Sequence, residues 1–270
     1  MKIIAYEPDY NPQHCRVLRS LARGIPGCEV RTLGDYVECD IAIIFGGHKY
    51  AFAKTAPKGE IIKRHQGRRL LCVEEAFVRR GDYYQVGWGG FAGHADFNNA
   101  GVPGDRWRAM GVRVNEWQHN EGGHILVMGQ LGRDTQVQDT DHYGWCRATI
   151  GALQARGERV LFRPHPKEPG NKIYGVPVSV VHSGTMAQAL EGAKSVVTWN
   201  STSAVDALLA GIPVVAMDSG SIACPVAGHT LDDAISPIYP DREPWLAGIG
   251  YAQWALDEMA DGLPWRHLIG

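Results

Sequence analysis

The stretch that most constrains how this chain can fold is Ser195 to Asp218, which reads as one strand–helix–strand unit. Ser195 to Thr198 is a short apolar run rich in β-branched residues, suited to a parallel strand buried on both faces. Asn200, Ser201, Thr202 and Ser203 follow at once, and their side-chain oxygens can all accept from the free N–H groups of a helix start. Ala204 to Ala210 is then predicted as a helix with Val205, Leu208 and Leu209 on one face. Gly211 is its stop, and Pro213 to Met217 the next strand. A helix leaving the carboxyl end of a strand, with hydroxyls in its first turn, can hold an anion, above all a phosphate. Ordinary N-capping explains the same residues without a ligand, so this stretch alone leaves both readings open.

The same grammar runs through the rest of the chain. Lys2 to Tyr6, Cys28 to Thr32, Asp40 to Phe45 and Arg69 to Val73 read as strands, with helices from Asn11-Pro12 to about Gly24 and from Ala56 to His65. Strands alternating with helices in this way predict an open, mostly parallel sheet. A second series begins at His124 to Gly129 and continues with a helix over Asp139 to Arg156 and strands at Arg159 to Arg163 and Val178 to Val181. A short helix at Thr185 to Glu191 leads into the opening stretch. The fold class expected is therefore α/β with two facing Rossmann-like domains over residues 1–120 and 121–240. A helical tail, 241–270, returns to the first domain. Residues 81–123 are rich in Gly, Asn and Trp and show neither period, so they are expected to form an irregular active-site loop. The tail carries Trp245, Trp254 and Trp265, which must pack on something, and a cleft between two domains offers room.

Composition removes several function classes. The 270 residues carry a net charge of −2, so overall charge favours neither nucleic acid nor membrane. No apolar run approaches the roughly 20 residues that span a bilayer. The six cysteines include no CxxC pair and read as reduced core residues of a cytoplasmic protein. Neither metal nor cofactor is expected beyond a bound substrate.

In a pair of Rossmann-like halves, ligands bind at the carboxyl ends of the strands. Three polar stretches fall there: 74–80, 163–167 and 199–203. Arg163-Pro164-His165-Pro166-Lys167 fixes one imidazole between two prolines, where it can donate to a phosphate oxygen; a proline-stiffened turn is the plain alternative. Glu74-Glu75 follows a strand of the first half. Adjacent residues leaving a strand point to opposite sides, so one carboxylate can face a ligand and act as a general base; an acidic first turn of a helix is the alternative.

In series these residues resemble the motifs of capsule-type Kdo transferases and the related bacterial sialyltransferases. Glu74-Glu75-Ala76-Phe77-Val78-Arg79 resembles their acidic motif. Gly129-Gln130 with Asp134 resembles a Gly-Gln…Asp stretch, and His165-Pro166 their His-Pro motif. Asn200-Ser201-Thr202, followed by Asp206-Ala207-Leu208 and Gly211-Ile212-Pro213-Val214, is similar to their hydroxyl motif. The four stand in family order over residues 70–218. The resemblance implies a metal-independent GT-B glycosyltransferase with a nucleotide-sugar donor, a UDP- or CMP-sugar, in the second domain. Gly129, Gln130, His165, Asn200, Ser201 and Thr202 would bind the donor, and Glu75 would act on the acceptor. Two departures stand out: Glu75-Ala76 replaces Asp-Gly, and Asp206 replaces a usual Glu.

Residues 48–80 hold nine Lys or Arg against three Glu, a local excess that would draw a polyanionic acceptor. Small proteins of this general look also occur in phages that glycosylate hydroxymethylated bases of their own DNA. That favours a DNA base hydroxyl over a surface glycan as acceptor, with Arg79, Arg80, Trp88 and Asp96 on the acceptor side. Trp88, Phe91 and Phe97 could then hold an unstacked base. A non-catalytic nucleotide-binding module would keep His165, Ser201 and Thr202 without needing Glu75.

Overall fold

A computed structural model describes residues 1–47, 56–168 and 172–270, which form two compact units: Met1–Val112 with Glu243–Gly270, and Arg113–Arg242. The segment 113–123, which has no regular element, is tied to the second unit: the Asn115 N–H donates to Leu209 O and that of Gln118 to Gly211 O, each at 2.8 Å.

The first unit is built on β1 (Ile3–Glu7), α1 (Pro12–Arg23), β2 (Cys28–Thr32), β3 (Ile41–Phe45), α2 (Ala56–Arg64), β4 (Leu70–Glu75), β5 (Tyr83–Trp88) and the short α3 (Asp105–Ala109). Pro12 opens α1 and Asn11 caps it, its side chain accepting from the N–H groups of Gln13 and His14. β1 pairs in parallel with β2 and β3, and β3 with β4. All five residues of β3 are buried, because helices cover both faces. Ile41, Ile43, Phe45, Leu71 and Val73 share a core with α1, while Ile44 and Cys72 share one with Ile61 and Ile62 of α2.

Two expectations fail in this unit. The stretch 81–123 is not wholly irregular, for β5 lies antiparallel to β4. β5 is buried on both faces and so shows no alternation. Its buried Gln85 is spent on the backbone, donating to Glu75 O at 2.6 Å and accepting from Ala92 N at 2.9 Å. Nor is the tail all helix. The tail runs from the helix Glu243–Ala252 through the strand Gln253–Ala255 to the helices Leu256–Ala260 and Leu263–Ile269. The three-residue strand pairs antiparallel with β5, so the sheet has six strands. Trp254 and Trp265 enter the α1-side core, and Trp265 meets Trp88 edge-on at 6.0 Å. Trp254 and Trp265 of the tail thus complete the core of the first unit.

The second unit is a four-stranded parallel sheet of β6 (His124–Met128), β7 (Val160–Arg163), β8 (Ala193–Thr198) and β9 (Val214–Ala216), in the order β7-β6-β8-β9. Its helices include α4 (His142–Ala155), α5 (Met186–Leu190), α6 (Ser203–Leu209) and α7 (Leu231–Ile235). α4 starts three residues later than expected, where Asp141 accepts from Gly144 N at 2.8 Å. Val178 to Val181 is not a ladder strand. It is a 3₁₀ turn after Pro177 with a single bridge from Val181 to Phe162, and Val178 faces solvent. No described helix is long and apolar enough to cross a membrane.

Candidate active site

In the first unit, β1, β3 and β4 run in parallel and end at Glu7, Phe45 and Glu75. Glu75 continues the Leu71–Val73 face of β4 and Glu74 the Cys72 face towards α2. Glu74 is set beside the Gly46-Gly47 turn, where both residues have positive φ (66° and 82°). A Cβ on Gly46 would stand 3.1 Å from Glu74 Oε2 and 3.4 Å from Lys58 Nζ, so glycine serves both conformation and space there. Lys58 donates to Phe45 O at 2.5 Å. Burial holds its ammonium below the usual lysine range, and the Glu74 charge opposes that shift. Glu74 is thereby committed to structure: its Oε1 also accepts from Glu75 N at 2.9 Å.

Glu75 has a different setting. It lies opposite Tyr84 on β5, whose hydroxyl accepts from Gln13 Nε2 at 3.0 Å. Burial raises the Glu75 carboxyl above the ordinary range, and Arg80 pulls the other way. Desolvation outweighs the Arg80 charge there. Sequence reasoning overlooked His14, in the first turn of α1. Its ring stacks on Phe45 at 3.7 Å and 9°, and burial, then the Lys58 charge, keep it from protonating at its ordinary pKa. The Asn-Pro helix start at the end of β1 was the available signal for it.

The other acceptor-side residues divide. Arg79, in a left-handed conformation (φ 50°), and Arg80, donating to Ala76 O at 3.3 Å, follow Glu75. Trp88 and Asp96 lie elsewhere. They bridge to each other, and Trp88 pairs with Leu71 at the start of β4, so both sit at the opposite end of the strand from Glu75. Trp88, Phe91 and Phe97 are each 4% exposed. The Trp88 indole N–H donates to Leu268 O at 3.3 Å and Phe97 meets Phe77 edge-on, so these rings fill a core and cannot clasp a base. The basic stretch is likewise no single surface. Arg68 and Arg69 precede β4 while Arg79 and Arg80 follow it, about 20 Å apart along a six-residue strand. Arg68 pairs with Asp96 at 3.0 Å, Arg64 with Glu60 at 2.7 Å, and Arg69 donates to the carbonyls of Asp40 and Cys39. Lys49 and Lys54 lie outside the described residues.

In the second unit, the strand ends are joined by side-chain hydrogen bonds. Gln130, after β6, and Asn200, after β8, form a reciprocal pair: Gln130 Nε2 donates to Asn200 Oδ1 at 2.9 Å and Asn200 N to Gln130 Oε1 at 3.1 Å. Asn200 Nδ2 donates to Gln136 O and to Asp218 Oδ1, both at 3.0 Å. Both side chains are buried, and these bonds brace the sheet edge. The Gly129 N–H donates to Arg163 O at 2.9 Å, and an added Cβ would come within 2.9 Å of the Tyr174 ring. Gly129 too is therefore a packing residue.

His165 and the hydroxyls are the remaining predicted residues of this edge. His165 N donates to Tyr174 Oη at 3.2 Å, and Lys167 N donates to His165 Nδ1 at 3.1 Å. With Nδ1 accepting, the neutral ring carries its proton on Nε2. Burial first, then the Lys167 charge, lowers its pKa, so it serves as a neutral N–H donor. The capping expectation is only partly met. Ser201 Oγ accepts from Ser203 N at 3.2 Å, whereas Thr202 makes no capping hydrogen bond and its half-exposed hydroxyl is unspent. No three described His, Cys, Asp or Glu side chains are grouped so as to hold a metal ion.

No protein-family model matches the chain, and no curated protein sequence does. Solved structures do. The beta Kdo 2,7 transferase of Thermosulfurimonas dismutans KpsC matches over 97% of this chain and 98% of its own, with a TM-score of 0.54 at 12% identity. The fold is that of a GT-B glycosyltransferase. The beta Kdo 2,4 transferase of the same KpsC matches over 92% of this chain and 89% of its own, with a TM-score of 0.52 at 13% identity. The glycotransferase of kitacinnamycin covers 85% of this chain and 55% of its own at a TM-score of 0.34 and 14% identity, too distant to weigh. The GT-B likeness thus rests on the two Kdo transferase structures and extends over nearly the whole chain.

Proposed function

We propose that the protein is a glycosyltransferase that moves a sugar from a nucleotide-sugar donor, a CMP- or UDP-sugar, to a saccharide hydroxyl, in the manner of Kdo- and sialyl-type transferases. One observation carries this reading. The motifs that resemble those transferases fall at the carboxyl ends of parallel strands, in a chain with their fold. Donor phosphate is held by His165 Nε2–H with the hydroxyls of Ser201 and Thr202, and Gly129, Gln130 and Asn200 keep that edge in shape. Glu75, once ionised, removes the proton of the acceptor hydroxyl as it attacks the anomeric carbon, and the nucleotide leaves with the bonding pair. Arg79 and Arg80 stand on the acceptor side.

The saccharide reading is preferred to DNA because the basic residues are divided and the proposed base-clasping rings are buried. The six free cysteines suit work in the cytoplasm, and the resemblance implies catalysis without a metal. The test incubates the protein with CMP-Kdo, CMP-sialic acid and a set of UDP-sugars, with and without acceptor saccharides or DNA containing hydroxymethylated bases. Transfer to saccharide that survives a chelator is expected. Transfer to DNA alone would reverse the acceptor assignment, and loss of turnover on chelation would reverse the metal assignment. Nucleotide binding with neither hydrolysis nor transfer would make the protein a binding module.

A further inference from the structure

Five buried polar atoms at the carboxyl edge of the second sheet have no hydrogen-bond partner among the described residues. They are Oε1 of Gln136, both amide atoms of Gln138, Nδ1 of His142 and Nε of Arg163. Buried polar groups are nearly always bonded, and leaving one unmade costs more than a typical bond contributes. Three of the five atoms are carboxamide atoms on one loop, between β6 and α4. That loop is firmly held. Gln130 N donates to His142 Nε2 at 2.8 Å, Tyr174 Oη donates to Gln130 O at 3.0 Å, and Asn200 Nδ2 holds Gln136 O. Val137, between the two glutamines, is fully buried. The backbone is thus fixed on both sides of two amides whose polar atoms are unspent.

Resting on the donor reading above, we propose that Gln136 and Gln138 read the base of a pyrimidine nucleotide. A carboxamide sets an acceptor beside a donor. That pattern meets the N4–H and N3 of cytosine, or the N3–H and O4 of uracil, in a bidentate pair. Gln136 Oε1 adds one acceptor for a base N–H. The bond from Asn200 to Gln136 O joins this loop directly to the Asn200-Ser201-Thr202 stretch, so base and phosphate are handled by one braced frame. Gln136 and Gln138 are themselves only partly buried, so a change of side-chain rotamer can present their amides to a ligand.

Calorimetry on the full chain with CMP, UMP, AMP and ribose 5-phosphate tests this. One pyrimidine nucleotide should bind more tightly than ribose 5-phosphate. Gln138→Ala and Gln136→Leu should each weaken that nucleotide about tenfold and leave ribose 5-phosphate unchanged. Gln138→Glu, which keeps the shape and replaces a donor by an acceptor, should alter the preference between CMP and UMP; it also guards against misfolding of the smaller variant. Equal weakening of nucleotide and ribose 5-phosphate, no change in either, or tighter binding of AMP than of both pyrimidines would overturn the base assignment and leave the donor reading standing. A wild-type protein that binds none of the four would overturn both.

Discussion

The carboxyl edges of the two sheets are built from opposite materials. In the first unit the edge is charged: Glu74 is locked beside Lys58 and the Gly46-Gly47 turn, and next to it Glu75 carries a carboxyl raised by burial. In the second unit the edge is braced mainly by uncharged groups, the Gln130–Asn200 pair, bonded in turn to the Asp218 carboxylate, and a histidine whose pKa is lowered by burial. A half-buried carboxyl beside a committed one suits proton transfer. A stiff neutral frame with a few unspent N–H and O–H groups suits holding an anion, because its donors are already oriented and need no counter-charge.

The sharpest way to break this contrast is at Glu75. Glu75→Gln should lower single-turnover sugar transfer by about 10²–10⁴-fold while donor affinity stays near wild type. Glu74→Gln should leave the rate nearly intact and lower the melting temperature, since it loosens the Lys58 setting. A dead Glu74→Gln beside an active Glu75→Gln would exchange their roles.

A smaller effect is expected from the brace. Gln130→Leu strands the Asn200 amide in a buried site, and each unsatisfied group costs about 1–3 kcal/mol. Chemical denaturation should show that loss in the second unit, and hydrogen exchange should place it at the β6 and β8 ends. Unchanged stability would mean that the pair is dispensable.

Smaller again is the donor edge itself. The double change Ser201→Ala with Thr202→Ala should weaken donor binding by about 1–3 kcal/mol, the range for lost bonds to a charged group. Thr202→Ala alone should not alter stability, because Thr202 caps nothing. Calorimetry and melting curves separate the two statements.

The most diagnostic effect is in pH. Burial lowers the pKa of His142 to about 4 from 6.5. The unfolded chain therefore takes up its proton first, and the second unit should lose stability as pH falls from 6.5 through about 4. Glu75 acts with the opposite sign. Its raised pKa means the folded state holds a proton that the unfolded chain has released, so its contribution to stability declines as pH rises from the ordinary carboxyl range through the raised pKa. Catalysis, which needs the ionised base, should rise there. Hydrogen exchange resolved by unit, with Glu75→Gln as control, checks both slopes.

Much of this architecture is local and was readable as such. β-branched runs, the Asn11 cap and glycine stops place most strands and helices within a few residues, and the motifs could be assigned to strand ends because strand and helix periods change there. The alternation of a strand divides Glu74 from Glu75 without any coordinates. What the residues could not reveal was which neighbours they would meet. Gln85 and Gly87 look like loop residues until β4 and the tail flank them. Gln253–Ala255 becomes a strand only because β5 offers it an edge. Trp88, Phe91 and Phe97 look like a binding surface until the core closes over them. Asn200 and Gln130, 70 residues apart, look like ligand contacts until they spend their amides on each other. Secondary structure follows from nearest neighbours and period; burial and hydrogen-bond partnership depend on contacts between distant segments, and only the tertiary structure decides those.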